Sequence, residues 1–262
     1  MTTTMDLILA IMTITVPLFG GIFTVLIFYK RDEEKEPKKI VMQTFLWGLL
    51  AGGIIIAITI PMFMGVKRII DKINKEWAIM LFMIAIVIIQ AALEEIIKAF
   101  FLRRRCLCKI AGEIDGLYDG FFYGAILGTG AGVVDAIAYA LLATDWMGGL
   151  EIALIKTIRI PGTHALFTGF LGMYCAWHRF KEKKVFMGIA YAIILHIIWN
   201  AITYIFYYFL IGIVFYIANF AFLALYLVIM VVLSGALIKY DRKTFPEGIS
   251  DEEKMKGTKC KI

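Results

Sequence analysis

Cysteine is scarce in this chain, with four residues in 262. Cys106, Cys108, Cys175 and Cys260 are too few and too scattered for a disulfide framework. The close pair, Cys106 and Cys108, is spaced more tightly than zinc-binding pairs and has no second pair to complete a site. A nucleotide-binding glycine fingerprint, a nucleic-acid motif, an internal repeat and a low-complexity tract are all absent. Cys260 is followed by only two residues, so no CaaX box is expected. Charge is thin as well, at 18% of residues. What fills the chain is apolar: 61% hydrophobic residues and a mean hydropathy of +0.83, well above soluble-domain usage. The chain reads as an integral membrane protein.

Seven apolar stretches are each long enough to cross a bilayer, at about 5–29, 39–64, 77–102, 118–143, 150–177, 185–208 and 210–238. The expected fold class is all-α, a polytopic transmembrane helix bundle forming one domain over 1–240, with a polar tail over 241–262. The last two stretches touch through Phe209 to Gly212, which leaves a six-span arrangement with a broken final hairpin open. Pro161 either starts the fifth helix or kinks it. The N-terminus lacks a basic n-region and a small-residue cleavage site, so Met5 to Tyr29 is expected to stay as the first helix. Twenty of the 27 Lys and Arg fall in or beside the odd-numbered loops and the tail, and six in or near the N-terminus and even-numbered loops, with Lys156 and Arg159 counted to the fourth loop. That bias predicts the N-terminus outside and the tail in the cytoplasm. The net charge of +6 follows this topology and is no sign of a nucleic-acid partner. Oligomeric state is not legible.

The stretch AALEEIIKAFF, Ala91 to Phe101, sets Glu94, Glu95 and Lys98 inside the third span. A carboxylate in hydrocarbon costs at least ~2.5–3.5 kcal/mol, so two adjacent ones need a reason. Helical spacing puts Lys98 four residues from Glu94 and three from Glu95, within reach of both. The group is either a neutralised pair locking helices together or a catalytic centre. Adjacent helix residues point about 100° apart, so only one glutamate should reach a shared water, and Glu94 is favoured.

Other polar groups lie in later spans. Gly120, Gly124 and Gly128 recur every four residues in the fourth span and predict a packing seam. Asp135, in the same span, has no charged neighbour within a helical turn, so its partner must come from another helix, from water or from a proton. Tyr139 shares its face. His164 follows Arg159, Pro161 and Gly162 in the fifth span, and His196 has Asn200 one turn on. His178, in a basic loop, is expected to be solvated. On straight helices the four groups sit at different depths: roughly 12–14 Å for Glu94, 17 Å for His196, 20 Å for His164 and 21–25 Å for Asp135. Tilt or one misplaced boundary closes that spread.

Taken together, five blocks in order over about Tyr29 to Ala201 resemble the PrsW intramembrane proteases, of the broad group that holds the CAAX prenyl endopeptidases. They are YKRDEEKEPKKIVMQTFLWG, the EExxK match at Glu94 to Lys98, DGFFYGAILGTGAGVVDAIAYAL, RIPGTHALFTGFLG and LHIIWNA. Two departures stand out: Asp135 and Ala136 occupy a position where the family has Glu followed by Asn, and no large aromatic stands at Ala131 or Gly132. The resemblance implies hydrolysis of peptide bonds in membrane-anchored protein substrates at the lipid bilayer. Glu94 is then the expected base, with Glu95, Lys98 and Asn200 in the catalytic set. Asp135, His164 and His196 are the expected ligands of a divalent metal, zinc by its preference for such donors. A metal-free route through the same residues stays open, as do an ion or proton pathway and a weakened relative that binds without cutting.

Overall fold

The glycines of the fourth span decide how this bundle is built. A computed structural model of the chain describes residues 4–32, 35–73, 75–107, 114, 116–143, 145–181, 185–209 and 213–244. Among them are eight helices and no strand: α1 (Thr4–Arg31), α2 (Lys38–Ile70), α3 (Glu76–Phe101), α4 (Leu117–Leu141), α5 (Trp146–Arg159), α6 (Leu166–Lys181), α7 (Val185–Phe209) and α8 (Ile213–Thr244). Six are long and apolar enough to cross a membrane. Long apolar helices are the stable answer to a solvent that cannot hydrogen-bond the backbone. The side chains of Cys106 and His178, and the whole of Cys108, Cys260 and the chain beyond Thr244, lie outside the described residues.

Helix α4 is the centre. Of its apolar window 83% is buried, against 22% to 28% for the other five spans, whose outer faces carry exposed Leu, Ile and Phe. Small residues let neighbouring backbones come close on two sides. A Cβ added at Gly120, Gly124 or Gly128 would lie 2.4, 2.2 or 2.1 Å from the carbonyl oxygen of Gly172, Thr168 or His164, so α6 runs antiparallel against this face. A Cβ at Gly130 would lie 2.4 Å from the Phe45 carbonyl oxygen, and one at Gly48 would lie 2.2 Å from that of Leu127, which seats α2. Helix α1 closes the bundle over α5 and α4, with Gly20 against Thr157 and Gly21 against Val133.

The fifth predicted span is not one helix. Pro161 has no N–H to give, and the ladder slips there into a π-helical turn, Pro161–Ala165, in which Ala165 N–H donates to Ile160 O at 3.0 Å. Helix α5, the turn and α6 together follow α4 from Gly149 beside Ala140 to Gly172 beside Gly120. Thus the break lies in the fifth traverse, while α7 and α8 are separate helices. At the far end of α4, Tyr123 Oη donates to buried Glu36 Oε2 at 2.5 Å and Tyr118 N–H donates to Asp241 Oδ2 at 2.7 Å, which fastens the first loop and α8 to the centre.

Replacement of Gly128 by Ala is expected to destabilise the detergent-solubilised protein by about 1–3 kcal/mol, because its Cβ meets backbone that cannot give. Gly53 faces open space, and Gly53→Ala is expected to be neutral or stabilising by about 0.5–1 kcal/mol. Unfolding midpoints of the two variants measured side by side check the seam; equal effects would contradict it.

Candidate active site

Four elements converge around α4 to put ionisable groups within contact of one another. Helix α3 presents Glu94, Glu95 and Lys98, all buried, with Glu95 and Lys98 wholly so. Lys98 Nζ lies 2.7 Å from Glu95 Oε1, 3.9 Å from Glu94 Oε2 and 3.3 Å from His164 Nδ1. From α7, His196 places Nδ1 2.9 Å from the same Glu95 oxygen and Nε2 3.9 Å from Glu94 Oε2. The two imidazoles stand edge to face, 6.3 Å between centroids. Gaps of 3.9 Å around Glu94 Oε2 are too long for direct hydrogen bonds and of the length a bridging water fills.

Asp135 takes its partner from α5. Lys156 Nζ lies 2.7 Å from Asp135 Oδ2, and His164 Nε2 lies 3.5 Å from the same oxygen. Lys156 also sits over the Tyr139 ring, 3.8 Å from its centroid, so ring and carboxylate on one face of α4 hold one ammonium. Gln90, one turn before Glu94, donates to Glu94 Oε1 at 3.0 Å and to Tyr139 Oη at 3.4 Å. The contacts close a circuit from Glu94 through Gln90, Tyr139, Lys156, Asp135, His164 and Lys98 back to Glu94.

Inside this circuit is a cavity of about 290 Å³. Glu94, Asp135, His164, His196, Asn200 and Lys156 line it, with Phe63, Val87, Phe167 and Trp199 as apolar wall. Arg159 completes the rim, its guanidinium 5.6 Å from the Trp199 ring centroid. Glu95 and Lys98 stand behind the lining. The close fit extends to Gly132, where a Cβ would come within 2.9 Å of the His164 ring, so the imidazole occupies the room a larger residue would need.

Of the residues singled out in the sequence, Glu94, Asp135, His164, His196 and Asn200 share the cavity, and Glu95 and Lys98 adjoin it. The metal set read from sequence divides: His196 joins the glutamates, while Asp135 and His164 form a second group with Lys156. Lys156, Gln90 and Trp199 were not singled out. Gln90 carried a signal, its i–4 spacing to Glu94; Lys156 carried none, because nothing in the sequence aligns α5 with α4. Among the described residues, Glu94, Glu95 and His196 bring ligand atoms within 4.8 Å of one another. Glu95 Oε2 is buried with no hydrogen-bond partner among them. Two carboxylates and an imidazole, one oxygen of them unspent, fit a divalent cation such as zinc.

Fold and site define a multi-pass helical membrane protein with a carboxylate–imidazole centre sunk in its bundle. A family model described as "PrsW family intramembrane metalloprotease" matches residues 36–235, and the chain belongs to this family. It is 30% identical over 166 residues to "Protease PrsW" of Geobacillus kaustophilus (strain HTA426), a match covering 63% of this chain and 65% of that one. No solved structure matches the chain significantly.

Removal of one charge should expose how the cluster is balanced. Lys98→Met leaves Glu94 and Glu95 buried without their cation and is expected to cost about 3–5 kcal/mol. Adding Glu95→Gln to it should recover part of that loss. Equilibrium unfolding in detergent measures both; a Lys98→Met variant as stable as the wild type would show the pair to be dispensable.

Proposed function

We propose that this chain is an intramembrane endopeptidase that hydrolyses peptide bonds of membrane-anchored proteins at a site reached from the lipid bilayer. The observation that carries the reading is the meeting of Glu94, Asp135, His164, His196 and Asn200 at one polar cavity within helices of membrane-crossing length. Such a cavity supplies what amide hydrolysis requires: a base, donors for the developing oxyanion, and an acid for the leaving amine. Glu94 faces the cavity and is the base. It takes one proton from a water; the hydroxide oxygen adds to the substrate carbonyl carbon. As the C–N bond breaks, the nitrogen receives that proton back from Glu94, leaving a carboxyl and an amine product. Glu95 and Lys98 hold Glu94 and His196 in place from behind. Asn200 lines the cavity, and its amide is suited to a substrate carbonyl. The bias of basic residues supports an external N-terminus and a cytoplasmic tail.

A divalent ion, zinc by donor type, would be held among Glu94, Glu95 and His196 and would supply a water acidified toward neutral pH. Asp135 and His164, expected from sequence to share in that task, are assigned here to the substrate side, because Lys156 already engages Asp135. One observation favours a second, metal-free reading: the Lys98 ammonium already stands 2.7 Å from Glu95 and faces Glu94.

With the purified chain in vesicles and a single-span membrane protein as substrate, Glu94→Gln is expected to lower cleavage by roughly 10²–10⁴-fold with folding intact. Proton or ion flux without cleavage by the wild type would overturn the protease reading. Bound-metal analysis separates the two chemistries: stoichiometric metal lost together with activity on chelation supports the first, and full activity in metal-free protein supports the second.

A further inference from the structure

The hydrogen-bond partners of the two imidazoles are of opposite kinds. Lys98 lies between two carboxylates and is an ammonium, which donates and cannot accept. At 3.3 Å from His164 it therefore requires an acceptor, so His164 Nδ1 carries the lone pair. The other nitrogen, Nε2, faces Asp135 Oδ2, an oxygen already 2.7 Å from the Lys156 ammonium and so an acceptor only. His164 is protonated there. His196 is reversed: Nδ1 stands 2.9 Å from Glu95 Oε1, which accepts from Lys98 as well, so Nδ1 bears the hydrogen and a neutral ring carries its lone pair on Nε2. Nε2 lies 3.9 Å from Glu94 Oε2, and both residues line the cavity.

We infer that His164 and His196 are held in opposite neutral tautomers and do different work at the cavity, with Lys156 the positioning residue that keeps His164 so. His196 offers the cavity a lone pair, to accept a proton or hold an ion, whereas that of His164 is taken up by Lys98. His164 offers an N–H. Its 3.5 Å contact with Asp135 is long enough for that N–H to turn to a substrate carbonyl and stabilise the oxyanion. Lys156 acts through Asp135: without its ammonium, the carboxylate loses its 2.7 Å anchor, and the imidazole loses the acceptor that selects Nε2–H. The division of tasks rests on the protease reading; the tautomers themselves do not.

Nitrogen-15 NMR of the full chain in detergent, labelled at histidine, tests this directly, with resonances assigned by His164→Gln and His196→Gln. The expected result is an unprotonated Nδ1 and protonated Nε2 for His164, and the reverse for His196. In Lys156→Met the His164 pair should shift toward a tautomer mixture while His196 is unchanged, and Lys156→Arg should restore it. In the cleavage assay, Lys156→Met should lower kcat by roughly 10-fold or more with KM little changed, the scale on which groups behind a reacting side chain act. A His164 unprotonated at Nε2 or protonated at both nitrogens, or a His196 protonated at Nε2, overturns the inference. The expected tautomers in a wild type that does not cleave would uphold it and remove the protease reading, whereas cleavage with the reverse tautomers would do the opposite.

Discussion

A lysine ammonium with no access to water governs this site. Lys98 is fully buried in a helix that is apolar from Trp77 to Phe101 apart from Gln90, Glu94 and Glu95, and it is tolerable there only because Glu95, Glu94 and His164 surround it. Each of those partners then needs its own. Glu95 is shared with His196 on α7, His164 leads to Asp135 on α4, and Asp135 leads to Lys156 on α5. The demand for charge compensation in a medium of low dielectric thereby ties helices distant in sequence into one circuit. A buried charge set of this kind adds little net stability but penalises any arrangement that leaves a member alone, so it selects one packing over others.

That circuit closes only because the backbones come close enough. The α4–α6 seam puts the His164 carbonyl where a Cβ at Gly128 would be, and its ring where one at Gly132 would be. Any larger residue at either place would push the imidazole away from Asp135. The π-helical turn at Pro161 lies at the same point, and breaks in membrane helices are tolerated where they are buried in protein or line a cavity. Glycine spacing and the proline break thus serve the chemistry by distance alone.

Much of this was readable before any coordinates. The EExxK stretch, the glycine period, the uncompensated Asp135 and the two membrane histidines are features a hydrocarbon setting makes conspicuous, since polar groups there need a reason. The seven apolar stretches map onto the helices, with the fifth divided by Pro161. What stayed hidden depends on register between helices. Counting basic residues placed Lys156 and Arg159 with the fourth loop, yet both lie on α5 and face the cavity. Depths on straight spans scattered the four groups, and a straight fifth span could not show the break at Pro161 that carries His164. Nor does the sequence show that His164 and His196 have different partners, Lys98 for one and Glu95 for the other.

Hydrolysis at this site requires a polar chamber open to water within a bundle otherwise facing lipid. Asn200 lines that chamber, and Ile198, two residues earlier on α7, is exposed on the bundle's outer face. In the chain with its native cysteines replaced, single cysteines at these two positions can be challenged in vesicles with a charged, water-soluble thiol reagent. Rapid modification of Asn200→Cys and protection of Ile198→Cys are expected; equal protection of both would mean that water does not reach the site.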